Sequence, residues 1–316
     1  MIPTLILISI VSFVIIQLPP GDFLDSYVAS LSDQGESVDA AILEGLKIQY
    51  GLDEPVHVQY LVWISRVVRG DFGVSLEWRK PVADLIYGRL FLTVIVSSVT
   101  LLFCWMVSFV IGIHSATHQY SLSDYFATFI AFLGLAIPHF MLALLLMWGA
   151  YKFLGLSVGG LFSPRFIEAP WSLARIADML GHVWIPVVII GVGGTAGLIR
   201  TLRANLLDEL GKPYVVTCRA KGIPENKLLF KHPVRVALIP FTSTVGWSLS
   251  GIVSGETITA VVLSLPTTGP LLLRALQSQD MYLAGTFIMF LSVLTVIGTL
   301  LSDIMLAWLD PRIRYD

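Results

Sequence analysis

Along this chain long apolar runs alternate with shorter polar ones, and the apolar runs are too long for a water-soluble core. A bilayer's hydrocarbon needs about 20 apolar helical residues per crossing. Six stretches meet that need: 2–18, 90–113, 126–151, 183–202, 234–262 and 282–309. The first follows Met1 with no basic residue ahead of it and no small-x-small site behind it, and it ends at Pro19-Pro20-Gly21. It therefore reads as a true first span rather than a signal peptide. Two polar segments carry helix punctuation of their own. In 19–89, Asp39 can cap a helix that runs to Tyr50, with Gly51 as its left-handed stop. Pro55 suits a first helical position, and Val56, Tyr60, Trp63, Ile64 and Val67 then share one face before Gly70. That face fits the lipid interface or the flank of a bundle, with docking of an outside partner as the other reading. In 203–233, Pro213 can open a short helix that Gly222 and Pro224 close. Such a helix is a rod of about 13 Å, and Arg219 and Lys221 near its end oppose the negative pole of its dipole. Bundled helices need connections of only about two to eight residues, so a basic knob in so long an insertion points to docking on a cytoplasmic partner.

Composition changes the picture by exclusion. Of 316 residues, 55% are hydrophobic and only 13% charged, where a soluble domain carries about 25%. Too little polar side chain remains to face water all round. The net charge of −2 supplies no basic field for nucleic acid. Two cysteines, Cys104 and Cys218, make no disulfide framework, and Cys218 on the knob is expected as a reduced thiol. The distribution of Lys and Arg gives orientation. Arg200, Arg203, Lys212, Arg219, Lys221, Lys227, Lys231 and Arg235 outnumber Asp208, Glu209 and Glu225, and the tail adds Arg312 and Arg314. In 19–89 the acids outnumber the bases. Six spans then put both termini and the 203–233 segment in the cytoplasm, with 19–89 outside. The division expected is a first membrane helix at 1–18, an outward helical segment at 19–89, and a core of five membrane helices at 90–316.

Candidate chemistry is sparse. There is no Gly-x4-Gly-Lys-Ser/Thr loop for nucleotide phosphates, no Gly-x-Ser-x-Gly elbow and no His-Glu-x-x-His. The Gly191-Val-Gly193-Gly194 run lies inside an apolar span, where close helix packing through Gly193 and Gly197 explains it better than dinucleotide binding. Gly251 and Gly255 repeat that spacing. His114 and His118 stand one turn apart, but no third ligand follows nearby. Glu256 either lines a solute path or satisfies Ser254 and Thr257, and Asp303 reads as a structural partner for the C-terminal arginines or a neighbouring helix. Small polar residues on the fifth span (Thr242, Ser243, Thr244, Ser248 and Ser250), with Glu256, are the candidates for a translocation path.

The motifs resemble one family. They are Gly51-Leu52-Asp53-Glu54-Pro55 leading to Gln59-Tyr60, Gly70-Asp71-Phe72-Gly73-x-Ser75, Tyr214-Val215-x-x-Cys218-Arg219-Ala220-Lys221-Gly222, Arg235-Val236-Ala237-Leu238-Ile239-Pro240, and Leu309-Asp310-Pro311-Arg312. Nearly the whole length resembles the B-type inner-membrane permease subunit of dipeptide/oligopeptide ABC importers. That resemblance implies an all-α polytopic membrane protein with the type I importer permease architecture in a bacterial inner membrane. It implies a second permease, two ATP-binding subunits that carry ATP and Mg, and an extracytoplasmic solute-binding protein, with no cofactor or catalysis in this chain. The knob would be the coupling helix, with Tyr214, Cys218, Arg219, Ala220, Lys221 and Gly222 meeting the ATPase and the two basic residues meeting its acidic or polar groups. Val216-Thr217-Cys218 stands where the wider family has Glu-Ala-Ala, so no Glu-mediated contact is expected, and Pro266-Thr267-Thr268-Gly269 replaces a common Pro-Gly-x-Gly. Peptides are the expected solute, with oligosaccharides or another small solute as the alternative. A secondary transporter would show inverted repeats and broken midplane helices, and no internal repeat is evident. An intramembrane enzyme would need a paired nucleophile and base, which are missing.

Overall fold

The computed structural model describes residues 2–17, 54–155, 159–244 and 257–309. The described residues are nearly all helical, with one isolated β-bridge between Val74 and Pro81. In chain order the helices are α1 (Ile2–Gln17), α2 (Val56–Val68), α3 (Val82–Thr117), α4 (Leu122–Ala136), α5 (His139–Gly149), α6 (Leu173–Leu210), α7 (Pro213–Ala220), α8 (Glu225–Lys231), α9 (Pro233–Ala237), α10 (Ile239–Ser243), α11 (Thr257–Val262), α12 (Thr268–Gln277) and α13 (Met281–Leu309). Helices α3, α6 and α13 are long and apolar enough to cross a membrane, and α4 with the segment from α5 to Phe153 makes a fourth if that bent pair is one span. α1 is apolar and has 16 residues among those described. The expected helix from Asp39 to Tyr50, residues 245–256 of the expected fifth span, and Arg312 and Arg314 lie outside the described residues.

The chain divides into two compact units. The first comprises Met1–Thr93 and Thr267–Leu294. Its core holds Phe13 and Ile16 of α1, Trp63 of α2, Val82 and Ile86 at the start of α3, Leu271 and Ala275 of α12, and Leu283, Ala284 and Phe287 of α13. The apolar face expected on 56–67 is a packing face from Tyr60 onward: Trp63 is buried, and Tyr60, Ile64 and Val67 pack around it, whereas Val56 is exposed. Polar pairs align α1 with α2, Ser9 Oγ lying 2.9 Å from the Tyr60 hydroxyl and Gln17 Nε2 donating to Gln59 Oε1 at 3.1 Å. In the Gly-Asp-Phe-Gly turn, Gly70 and Gly73 have φ of 80° and 76°, and a methyl on Gly73 would meet the Tyr282 ring at 3.0 Å. Only glycine combines that left-handed backbone with that closeness. The loop is then fastened by Asp280, whose carboxylate accepts from Ser75 Oγ at 2.5 Å, from the Glu77 N–H at 3.2 Å and from the Leu283 N–H at 3.2 Å.

The second unit comprises Val94–Pro266 and Thr295–Asp316. α6 starts at Leu173, well before its apolar stretch, because Ser172 caps it by accepting from the Arg175 N–H. The glycine run of α6 is a packing surface: a methyl on Gly191 would meet the Phe103 ring at 2.6 Å, and one on Gly193 would collide with the His139 ring. Gly197 was expected to share this role, yet nothing lies within 4 Å of a methyl placed there. The packing stripe ends at Gly194 and leaves Gly197 on an open side. The third apolar stretch, read as one continuous span, is broken. α4 and the segment that follows it meet at 103°, with Ile137 extended (φ −92°, ψ 122°) ahead of Pro138. The α region is disfavoured for a residue before proline, and proline donates no N–H; both favour a stop here, although α6 runs on through Pro186.

Candidate functional site

The segment after α6 is built on an apolar root. Leu202 and Leu206 of α6, Ile113 and Ala116 of α3, Leu229 of α8, Val234 and Ala237 of α9 and Phe241 of α10 form one buried cluster. α7 projects from this root. Lys212 is its N-cap, Pro213 its first residue and Lys221 its C-cap, so the helix stops where the sequence punctuation places the stop. Gly222 has φ +73°, its N–H donating to the Arg219 carbonyl at 2.9 Å, which is the left-handed turn that lets the chain reverse into Pro224 and α8. One side of α7 is anchored by Val215, fully buried. Around it Tyr214, Val216, Thr217, Arg219 and Ala220 are exposed, as are Lys221 and Gly222 beyond the helix, and Cys218 is half-buried.

Two of the residues expected to face a partner already have partners in this chain. Arg219 forms a two-pronged ion pair with Glu225, its terminal nitrogen 2.6 Å from Oε1 and its Nε 3.1 Å from Oε2. The guanidinium holds the Glu225 carboxyl below the usual carboxylate range. Tyr214 donates its hydroxyl to Glu209 at 2.7 Å, and burial together with that carboxylate raises the hydroxyl's pKa. These contacts stiffen the turn between α7 and α8 and brace α7 on the end of α6. Lys221, like Lys212 at the other end of α7, is exposed and has no carboxylate partner among the described residues.

Two further contacts escaped the sequence reading. Arg235, read there as a positive charge and as part of a family motif, donates to the carbonyls of Leu309 at 3.1 Å and Trp308 at 3.3 Å. It thus caps the last turn of α13, whose final carbonyls have no helical partner. Asp124 takes a bidentate pair from Arg203 at 3.1 and 2.8 Å and accepts from the Tyr120 N–H at 3.0 Å. This joins the turn before α4 to the end of α6. Its signal was present in Ser121-x-x-Asp124, a helix-start box in which Ser121 also accepts from the Asp124 N–H.

Of the translocation candidates, Ser243 is exposed and its hydroxyl returns to the Pro240 carbonyl at 2.7 Å, whereas Ser248 and Glu256 lie outside the described residues. His114 and His118 stack with ring centroids 4.5 Å apart, and Ser123 lies 2.9 Å from His114 Nε2. No cluster of three metal-ligating side chains occurs among the described residues. Asp303 is half-buried and forms no ion pair among them.

Comparison with known proteins shows the family. The chain is 35% identical over 320 residues to the oligopeptide transport system permease protein AppB of Bacillus subtilis (strain 168), covering 99% of this chain and 96% of that protein. It is 31% identical to the oligopeptide transport system permease protein OppB of Mycobacterium tuberculosis (strain ATCC 25618 / H37Rv), covering 98% and 96%. It is 29% identical to the glutathione transport system permease protein GsiC of Escherichia coli (strain K12), covering 100% and 96%. The profile of the binding-protein-dependent transport system inner membrane components matches residues 108–315, which include α6, the α7 knob and its root. The chain belongs to that family of membrane transport components.

Proposed function

We propose that this chain is a permease subunit of an ATP-driven ABC importer for di- or oligopeptides in a bacterial inner membrane. It crosses the bilayer six times with both termini inside and pairs with a second permease to form the path. A solute-binding protein delivers the peptide from outside, and two separate subunits bind ATP and Mg and hydrolyse the nucleotide. The observation that carries this reading is α7 itself: a short helix on an apolar root, bounded by Pro213 and a left-handed Gly222, with its outer face left to the exterior. A connection between two membrane helices has no need of such a part, whereas an ATPase groove does. The contact surface is Tyr214, Cys218, Arg219, Ala220, Lys221 and Gly222. Since Glu225 already engages Arg219, Lys221 is the unpaired cation at the C-terminal end of α7 that meets the ATPase. The relatives' names supply the peptide class.

The test is Gly222→Val in the complex reconstituted with its partner subunits. A β-branched residue in the left-handed region is strained by about 1–2 kcal/mol or more, so the turn shifts and α7 is presented at the wrong angle. Peptide uptake falls at least tenfold while the ATPase subunits keep their basal hydrolysis. Uptake at the wild-type rate, with wild-type stimulation of hydrolysis by loaded binding protein, would overturn the role assigned to α7.

A further inference from the structure

A groove of about 190 Å³ runs between α4 and α6. One wall is Thr128, Ala131, Phe132 and Leu135, and the other is Ala196, Ile199, Arg200 and Arg203. Both sets follow the i, i+3, i+4, i+7 stripe of a helix face, so the groove lies along the two axes. From Thr128 to Leu135 it is about 10 Å long at 1.5 Å per residue. Apart from Thr128 its walls are apolar, and both arginines stand at one end. That end has a definable depth. Residues 183–199 contain no charged side chain, and Arg200 is the first cation after them, the position where a membrane helix reaches the headgroups. The two arginines differ in state. Arg203 is neutralised by the buried Asp124, whereas Arg200 is exposed and has no acidic partner among the described residues.

We infer that this groove is a binding site for one anionic phospholipid, its phosphate on Arg200 and an acyl chain along Phe132, Leu135 and Ile199. Hydrocarbon gains nothing by exchanging one apolar contact for another inside a bilayer, so selectivity comes from the headgroup. A single unopposed cation favours a lipid of net negative charge over a zwitterionic one. The inference rests on the depth of the groove and the pairing of its arginines, and is independent of the transport reading.

The full chain, and the assembled importer, are purified in mild detergent and titrated with phosphatidylglycerol or phosphatidylcholine, and bound lipid is counted by native mass spectrometry. Phosphatidylglycerol is retained about fivefold better than phosphatidylcholine, the preference expected of one interfacial charge. Arg200→Gln abolishes that preference without changing phosphatidylcholine retention, and Arg200→Lys keeps it. A phosphatidylglycerol carrying a photo-reactive acyl chain labels the peptides containing Phe132 and Leu135. No lipid preference in the wild type, or an undiminished preference in Arg200→Gln, overturns the inference. So does labelling only elsewhere, as would follow if the second permease covered the groove.

Discussion

Asp280 is fully buried at the head of α13 and holds together residues more than 200 positions apart. Burial pushes its carboxyl above the ordinary aspartate value, against the opposing hydrogen bonds from Ser75, Leu283 and Glu77. The folded state therefore binds this proton more tightly than the unfolded chain does. Its stability contribution is fullest below the unfolded value of about 3.9 and is lost as pH rises through the raised folded value. Asp280→Asn removes that slope, so the difference in thermal midpoint between variant and wild type changes with pH across that window; parallel midpoints would contradict it. Asp280→Ala strands the Ser75 hydroxyl and two N–H groups and costs about 3 kcal/mol, measured by denaturant unfolding in detergent. The Asp280 cap on the Leu283 N–H is a local helix-start signal, but nothing local announces the bond to Ser75, which is remote and follows no helical period. Gly222 was legible because a left-handed stop has a local signature, and its φ agrees. Pairing of Arg219 with Glu225 was equally local, yet a basic residue on a knob invited a reading in terms of an outside partner first.

Among the elements, the long helices were legible from hydropathy, but their ends were not. α3 and α6 extend beyond their apolar runs, since capping and packing outlast the lipid-facing stretch. The break at Pro138 was also written in the chain, but the apolar run on either side of it masked the interruption. α4 and α6 touch closely where a methyl on Gly134 would come 2.5 Å from Val192 Cγ1. Valine is stiff at χ1 and cannot swing aside. Gly134→Ala is expected to destabilise by about 1–3 kcal/mol, and Val192→Ala in the same chain should recover most of that loss in a thermal-unfolding series. Additive losses in the double variant would mean the two helices do not meet at this point.

For the whole molecule, the proposed orientation rests on the excess of Lys and Arg in 200–235, and the chain carries a reporter that tests it. Cys104 is buried and Cys218 is half-buried on α7, and no other cysteine exists. A membrane-impermeant maleimide is therefore expected to label Cys218 in inside-out vesicles stripped of the ATPase subunits and to leave it unlabelled in intact cells. Cys218→Ser supplies the blank, and labelling from outside would invert the topology. The number of crossings was counted from hydropathy alone, whereas the grouping into two units depends on pairs such as Thr93 with Thr268, bonded at 2.9 Å, which no periodicity exposes.

Arg235 lies just past the knob, in the stretch that leads back to the bilayer, and its guanidinium grips the closing carbonyls of α13. Under the proposed mechanism, a tug from the ATPase on α7 is thus shared: one strand of force travels along the covalent chain into α9 and α10, and a second runs sideways through this clasp to the tail of the final helix. Two rods would be steered by a single handle.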